Sequence, residues 1–145
     1  GQHVTRHFVA KGWDVVVLSR QQHERRQNIR FVWWDGANLD AWADELDGAA
    51  AVINLAGRSV NCRYSKKNRR QIYESRESST EVIGEAIEGC ATPPKVWFNA
   101  SSMTIYRHAL DRDMDEATGE IVELIVFSHA MHSPSAMAKI LNRKS

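Results

Sequence analysis

Apolar positions along the chain follow two rhythms, one with helical spacing and one in unbroken short runs. Residues 2 to 11 place Val4, Phe8 and Val9 on one face, with His3, Arg6 and Lys11 outside it, and Gly12 follows. This spacing predicts a helix stopped by the glycine. WDVVVLS, residues 13 to 19, is β-branched and apolar without alternation, the pattern of a strand covered on both faces. IRFVWW, 29 to 34, predicts a second strand closed by an Asp35-Gly36 turn. LDAWADELDG, 39 to 48, reads as a short amphipathic helix, and AAVINLAG, 50 to 57, as a third buried strand ending on glycine. From Ser65, a good N-cap, to Glu88, the positions Ile72, Val82, Ile83, Ala86 and Ile87 mark a long helix. Pro93-Pro94 breaks the chain before KVWFNASS, 95 to 102, a fourth strand. Trp33, Trp34 and Trp97 lie on these strands, where core packing accounts for them.

This order of elements is that of an α/β protein with a doubly wound parallel sheet, a Rossmann-like fold. The sheet is expected to be incomplete. In that fold the first strand lies in the middle, a glycine loop follows it, and the next helix points its N-terminus at a pyrophosphate. Gly1 falls where the last glycine of G-x-x-G-x-x-G would fall, so the first strand is expected to be lacking.

Composition narrows the function classes. The 145 residues carry 19 lysines and arginines against 18 acids, and a net charge of +1 offers no field for nucleic acid or an anionic membrane. Cys62 and Cys90 have no metal-ligand or C-x-x-C spacing, which suits a reducing compartment, and the cytoplasm is the expected location. No run reaches the roughly 20 apolar residues that a membrane span needs. His129 and His132 have the spacing of a metal pair but no third ligand, so no metal is assigned.

Two blocks carry a resemblance. AAVINLAGRSVNCRYSKKNRRQIYESR, 50 to 76, and PPKVWFNASSMTIYRHALDRDMDEATGE, 93 to 120, resemble the sugar-nucleotide epimerase-like family of the extended short-chain dehydrogenase/reductase superfamily. The resemblance covers residues 1 to about 121 and implies a truncated NAD(P)-binding Rossmann domain without the C-terminal substrate domain. Residues 122 to 145 do not resemble the family's continuation and are expected to be an unrelated or frame-shifted tail. Within that tail IVELIVF, 121 to 127, is apolar and β-rich enough to form a strand that enters the vacant central slot.

The resemblance implies a set of site residues. Gly1 would let the first helix approach the pyrophosphate. Ser19-Arg20 ends the strand at which such folds choose their cofactor; an arginine there suits a 2′-phosphate and favours NADP, with NAD the alternative. Asp35 and Gly36 resemble the segment beside the adenine, and equally a plain Asp-Gly turn. Leu55, Ala56 and Gly57 resemble the strand end on which the dinucleotide lies. ASSMTIY, 100 to 106, resembles the family's S-S-x-x-x-Y segment, which makes Ser102 the serine that hydrogen-bonds a substrate hydroxyl or carbonyl.

The superfamily also needs a Tyr-x-x-x-Lys pair, because a lysine cation brings the phenol into range for proton exchange. The residue four beyond Tyr106 is Leu110, and no tyrosine follows. Two function classes therefore stand. One is an NADP-dependent epimerase, dehydratase or reductase acting by hydride transfer on a nucleotide-linked sugar or small carbonyl substrate. The other is a non-catalytic dinucleotide-binding remnant or inactive fragment. Lys66, Lys67, Arg69 and Arg70 open the long helix at the wrong end for its dipole; a solvated face or a contact to substrate phosphates explains them.

Overall fold

The computed structural model describes residues 1–21, 23–24, 26, 28–100, 110–113, 115 and 117–120. The order is α1 (Gln2–Ala10), β1 (Val15–Ser19), β2 (Ile29–Trp33), a 3₁₀ turn (Ala41–Leu46), β3 (Ala51–Asn54), α2 (Lys66–Gly89) and β4 (Val96–Asn99). The helices and strands expected between residues 2 and 99 are present except that LDAWADELDG forms the 3₁₀ turn. Asp40 accepts from the Ala41 amide at 2.7 Å and starts the turn, and Asp47 leaves it in extended conformation after six residues.

α1 ends where Gly12 permits it. Gly12 has φ +82°, its amide donates to Val9 O at 2.9 Å, and the Trp13 amide donates to Phe8 O at 3.1 Å. These two bonds close a Schellman motif, and the Phe8 and Trp13 rings meet edge to face at 6.3 Å across it. α2 begins at Ser65, whose Oγ accepts from the Asn68 amide at 3.2 Å, the expected N-cap bond.

The strands form two two-stranded sheets, β1 with β2 and β3 with β4. β1 and β2 run parallel in a register from Val15 opposite Ile29 to Ser19 opposite Trp33. Among the described residues no strand joins β1 to β3, the position that a doubly wound sheet gives its first strand. The expected α/β fold with an incomplete doubly wound sheet is therefore observed. Residues 121 to 127, expected to fill that slot, lie outside the described residues.

One core serves both sheets. Trp34, Trp42, Leu46, Val52, Val82, Ile83 and Ala86 are buried together, with Leu18, Val32, Ala56 and Trp97 packed at its margin. Trp42 Nε1 donates to Asn38 O at 2.9 Å, and its ring lies 5.4 Å from that of Trp34. Asn54 and Ser79 are the buried polar pair of this region; Asn54 Nδ2 donates to Ser79 Oγ at 3.3 Å and ties the end of β3 to α2.

Burial on both faces does not hold for the strands. Val16, Trp33, Val96 and Phe98 are exposed, Phe98 to 60%. Strand side chains alternate, so a core on one side leaves every second apolar residue outside it. Trp33 accordingly points away from the core that holds its neighbour Trp34.

Contacts divide the chain into Gly1–Phe98 and Asn99–Ser145. In the second unit Asp115 accepts from the Thr118 hydroxyl, the Thr118 amide and the Ala117 amide, which hold its carboxyl below the usual range. Arg112 pairs with Glu120. Among the described residues no helix is long and apolar enough to cross a membrane.

Candidate functional site

The C-terminal ends of parallel strands are where a doubly wound sheet receives its ligand. Parallel pairing places Ser19 and Trp33 side by side, and the Trp34 amide donates to Ser19 O at 3.1 Å. Ser19-Arg20 and Asp35-Gly36 thus leave the same edge of the β1-β2 sheet. α1 contacts β1 and is joined to it by the short turn at 11–14. Gly1 is the N-cap of α1. No Cβ contact would crowd Gly1.

Ser19 Oγ accepts from the Gln21 amide at 3.1 Å, which turns the chain sharply and leaves Arg20 exposed. No carboxylate among the described residues pairs with Arg20. A free guanidinium at this edge suits a phosphate.

Asp35 is committed to its own loop. Oδ1 accepts from the amides of Ala37 at 2.8 Å and Asn38 at 2.9 Å, and Oδ2 from Asn38 Nδ2 at 2.6 Å. The Asn38 bonds, backbone first, hold this carboxyl below the usual carboxylate range. Gly36 follows at φ +87°, a left-handed conformation that glycine adopts without strain. Of the two readings of Asp35-Gly36, these bonds supply the turn.

At the exit of β3, Asn54 Oδ1 accepts from the Ala56 amide at 2.9 Å, and Leu55 and Gly57 are exposed. Gly57 meets a group that the sequence pattern did not single out: a β-carbon there would lie 3.1 Å from Arg76 Cζ. Arg76 Nη1 donates to Arg58 O at 3.2 Å and Ile72 O at 3.0 Å, and so clamps the loop onto α2. The signal was faint, an arginine in a polar helix, and only the nearby glycine hinted at a close approach.

The two groups of site residues belong to different sheets, and no hydrogen bond or ion pair joins Leu55–Gly57 to Ser19, Arg20, Asp35 or Gly36 among the described residues. Ser102 lies outside the described residues. A recess of about 350 Å³ lined by Asp14, Val16, Arg26, Asn28 and Arg30 opens at the N-terminal ends of β1 and β2, the edge opposite to the site. Among the described residues no group of histidine, cysteine and carboxylate side chains is arranged to hold a metal.

Comparison with known proteins decides the family. The sequence model of the NAD dependent epimerase/dehydratase family matches residues 1–141. The chain belongs to this family. Within the epimerase family, YfhF of Bacillus subtilis is 33% identical over 135 residues, covering 91% of this chain and 43% of that protein. Human SDR39U1 is 26% identical over 119 residues, covering 80% of the chain and 38% of that protein. A crystal structure of human SDR39U1 with NADPH has the same fold at a TM-score of 0.63 and 24% identity, over 81% of this chain and 38% of that one. The chain thus spans about two fifths of the length of the relatives it matches. For the epimerase family the doubly wound arrangement is the expected one, and the β1-β2 and β3-β4 pairs are its described part.

Proposed function

We propose that this chain binds NADP along the C-terminal edge of its strands, as the dinucleotide-holding part of an NADP-dependent epimerase, dehydratase or reductase. Its substrate is a nucleotide-linked sugar or small carbonyl compound handled in the cytoplasm. The observation that carries the reading is Arg20, exposed at the end of β1 and without a carboxylate partner among the described residues. A guanidinium there accepts a 2′-phosphate, whereas an acid would bind the free ribose hydroxyl of NAD.

The remaining residues fit the same ligand. Gly1 and the first amides of α1 face the pyrophosphate, where a helix N-terminus favours negative charge. The turn held by Asp35 presents the open backbone of Gly36 to the adenine side. Leu55, Ala56 and Gly57 offer exposed backbone against which a nicotinamide ribose rests, and Ser102 hydrogen-bonds the substrate oxygen. Bound there, the nicotinamide supplies hydride donation and acceptance.

A second reading is favoured by one sequence fact. Tyr64, Tyr73 and Tyr106 are followed four residues later by Asn68, Glu77 and Leu110, so none forms a Tyr-x-x-x-Lys pair. On that reading the chain binds the dinucleotide and performs no turnover. Titration of NADPH, followed by its fluorescence with and without carbonyl compounds, separates the two. Saturable binding with oxidation on adding a carbonyl compound supports the enzyme, and binding alone supports the second reading. Absence of binding overturns both.

A further inference from the structure

From Gly48 through Tyr73 the chain carries no aspartate or glutamate, yet it holds Arg58, Arg63, Lys66, Lys67, Arg69 and Arg70. Only Arg70 of these is paired among the described residues, with Glu74. The cations gather around the first turns of α2, which contain no acidic residue. Positive side chains at the positive end of a helix repel its dipole. An incoming anion relieves that repulsion.

Two guanidiniums are held in place within this field. Arg58 Nη2 donates to Asn68 Oδ1 at 3.2 Å, and the Arg58 amide donates to Ser75 Oγ at 2.9 Å. Arg76 is half-buried beneath the same loop, its Nη1 on the carbonyls of Arg58 and Ile72. Among the described residues every hydrogen-bond acceptor of either side chain is a neutral oxygen, and no carboxylate neutralises them. Neutral donors would clamp those carbonyls equally well; arginines add uncompensated charge and unused N–H groups in a fixed fork, the geometry that phosphate and carboxylate oxygens match.

We propose that Arg58 and Arg76, at the exit of β3, form a receptor for an oxyanion, phosphate or carboxylate, carried by the substrate. This deepens the NADP reading and rests on it for the identity of the ligand. The dinucleotide has two anionic points, and that reading already assigns them to Gly1 and Arg20 beside β1. Arg58, in the loop after β3, and Arg76, on α2, are left for the second molecule in the reaction.

The test is a titration of the whole chain with inorganic phosphate at constant ionic strength, read by NMR at the arginine Nε–H groups and the Arg58 amide, with chloride as the control. Saturable shifts at Arg58 and Arg76 are expected with phosphate and not with chloride. Arg58→Gln, at an exposed side chain, should weaken phosphate roughly tenfold, the loss of one charge-assisted contact. Arg70→Gln, at a paired cation, should change it less than about twofold. Shifts that do not saturate, or that survive Arg58→Gln, overturn the proposal. In a second arm, phosphate is titrated onto protein exposed to NADPH. Undiminished binding with NADPH bound supports a substrate site, and displacement of phosphate by NADPH assigns the pair to the cofactor and overturns the substrate receptor. Phosphate binding without any NADPH binding would leave the oxyanion receptor standing and remove the NADP reading.

Discussion

The Arg76 guanidinium lies against Gly57, its Cζ 3.1 Å from where a β-carbon at that position would sit. The contact is tighter than ordinary packing, and Arg76 is not free to retreat, because Nη1 is bonded to Arg58 O and Ile72 O. Gly57→Ala should therefore destabilise the fold by about 1 kcal/mol through overpacking. In an Arg76→Ala background the same substitution should cost less, since the two sites share one contact, and what remains is the backbone strain of a side chain at φ +157°. Urea unfolding of the four proteins in the cycle checks this, and additive effects would contradict it.

Asp35 makes the β2 exit sensitive to acid. Its carboxylate accepts two bonds from Asn38 and one from the Ala37 amide, which lowers its pKa in the folded chain. A depressed folded pKa adds stability above the unfolded carboxylate pKa of about 3.9, and that stability is lost as pH falls through the folded value. The difference in urea midpoint between the natural chain and Asp35→Ala should be largest near pH 7 and shrink toward pH 3. A difference that does not vary with pH would contradict this assignment.

Trp42 anchors the core. It is 2% exposed, lies tilted against Trp34 and donates to Asn38 O. Trp42→Ala should cost about 3 to 5 kcal/mol, the range for large aromatic truncations. Trp42→Phe retains much of the ring packing and loses the hydrogen bond, at about 1 kcal/mol. Thermal unfolding of both variants should rank them in that order, and equal losses would mean that ring volume matters little here.

Much of the fold was legible because its cues are local. Helical spacing at Ile72, Val82, Ile83 and Ala86 located α2, and the apolar runs located β1, β2 and β3 to within a few residues. Burial was less legible, since an unbroken apolar run does not say how many faces a neighbour covers. Trp33 and Phe98 are exposed for that reason. In the candidate site, the Asp35-Gly36 turn was visible as a dipeptide, but the choice between a turn and a ligand contact depended on where Asn38 pointed. Arg76 was hidden because its importance comes from a glycine nineteen positions earlier, a relation that only folding creates.

The central claim is that NADP lies on the strand ends marked by Gly1, Arg20 and Gly57, and amide hydrogen exchange of the chain with and without NADPH tests it most directly. The account predicts slowed exchange at the first turn of α1, at Ser19 to Gln21 and at Leu55 to Arg58, with little change at the opposite strand ends near Asp14 and Asn28. NADPH binding that slows exchange near Asp14 and Asn28 instead, or that leaves all three predicted segments unchanged, would contradict it.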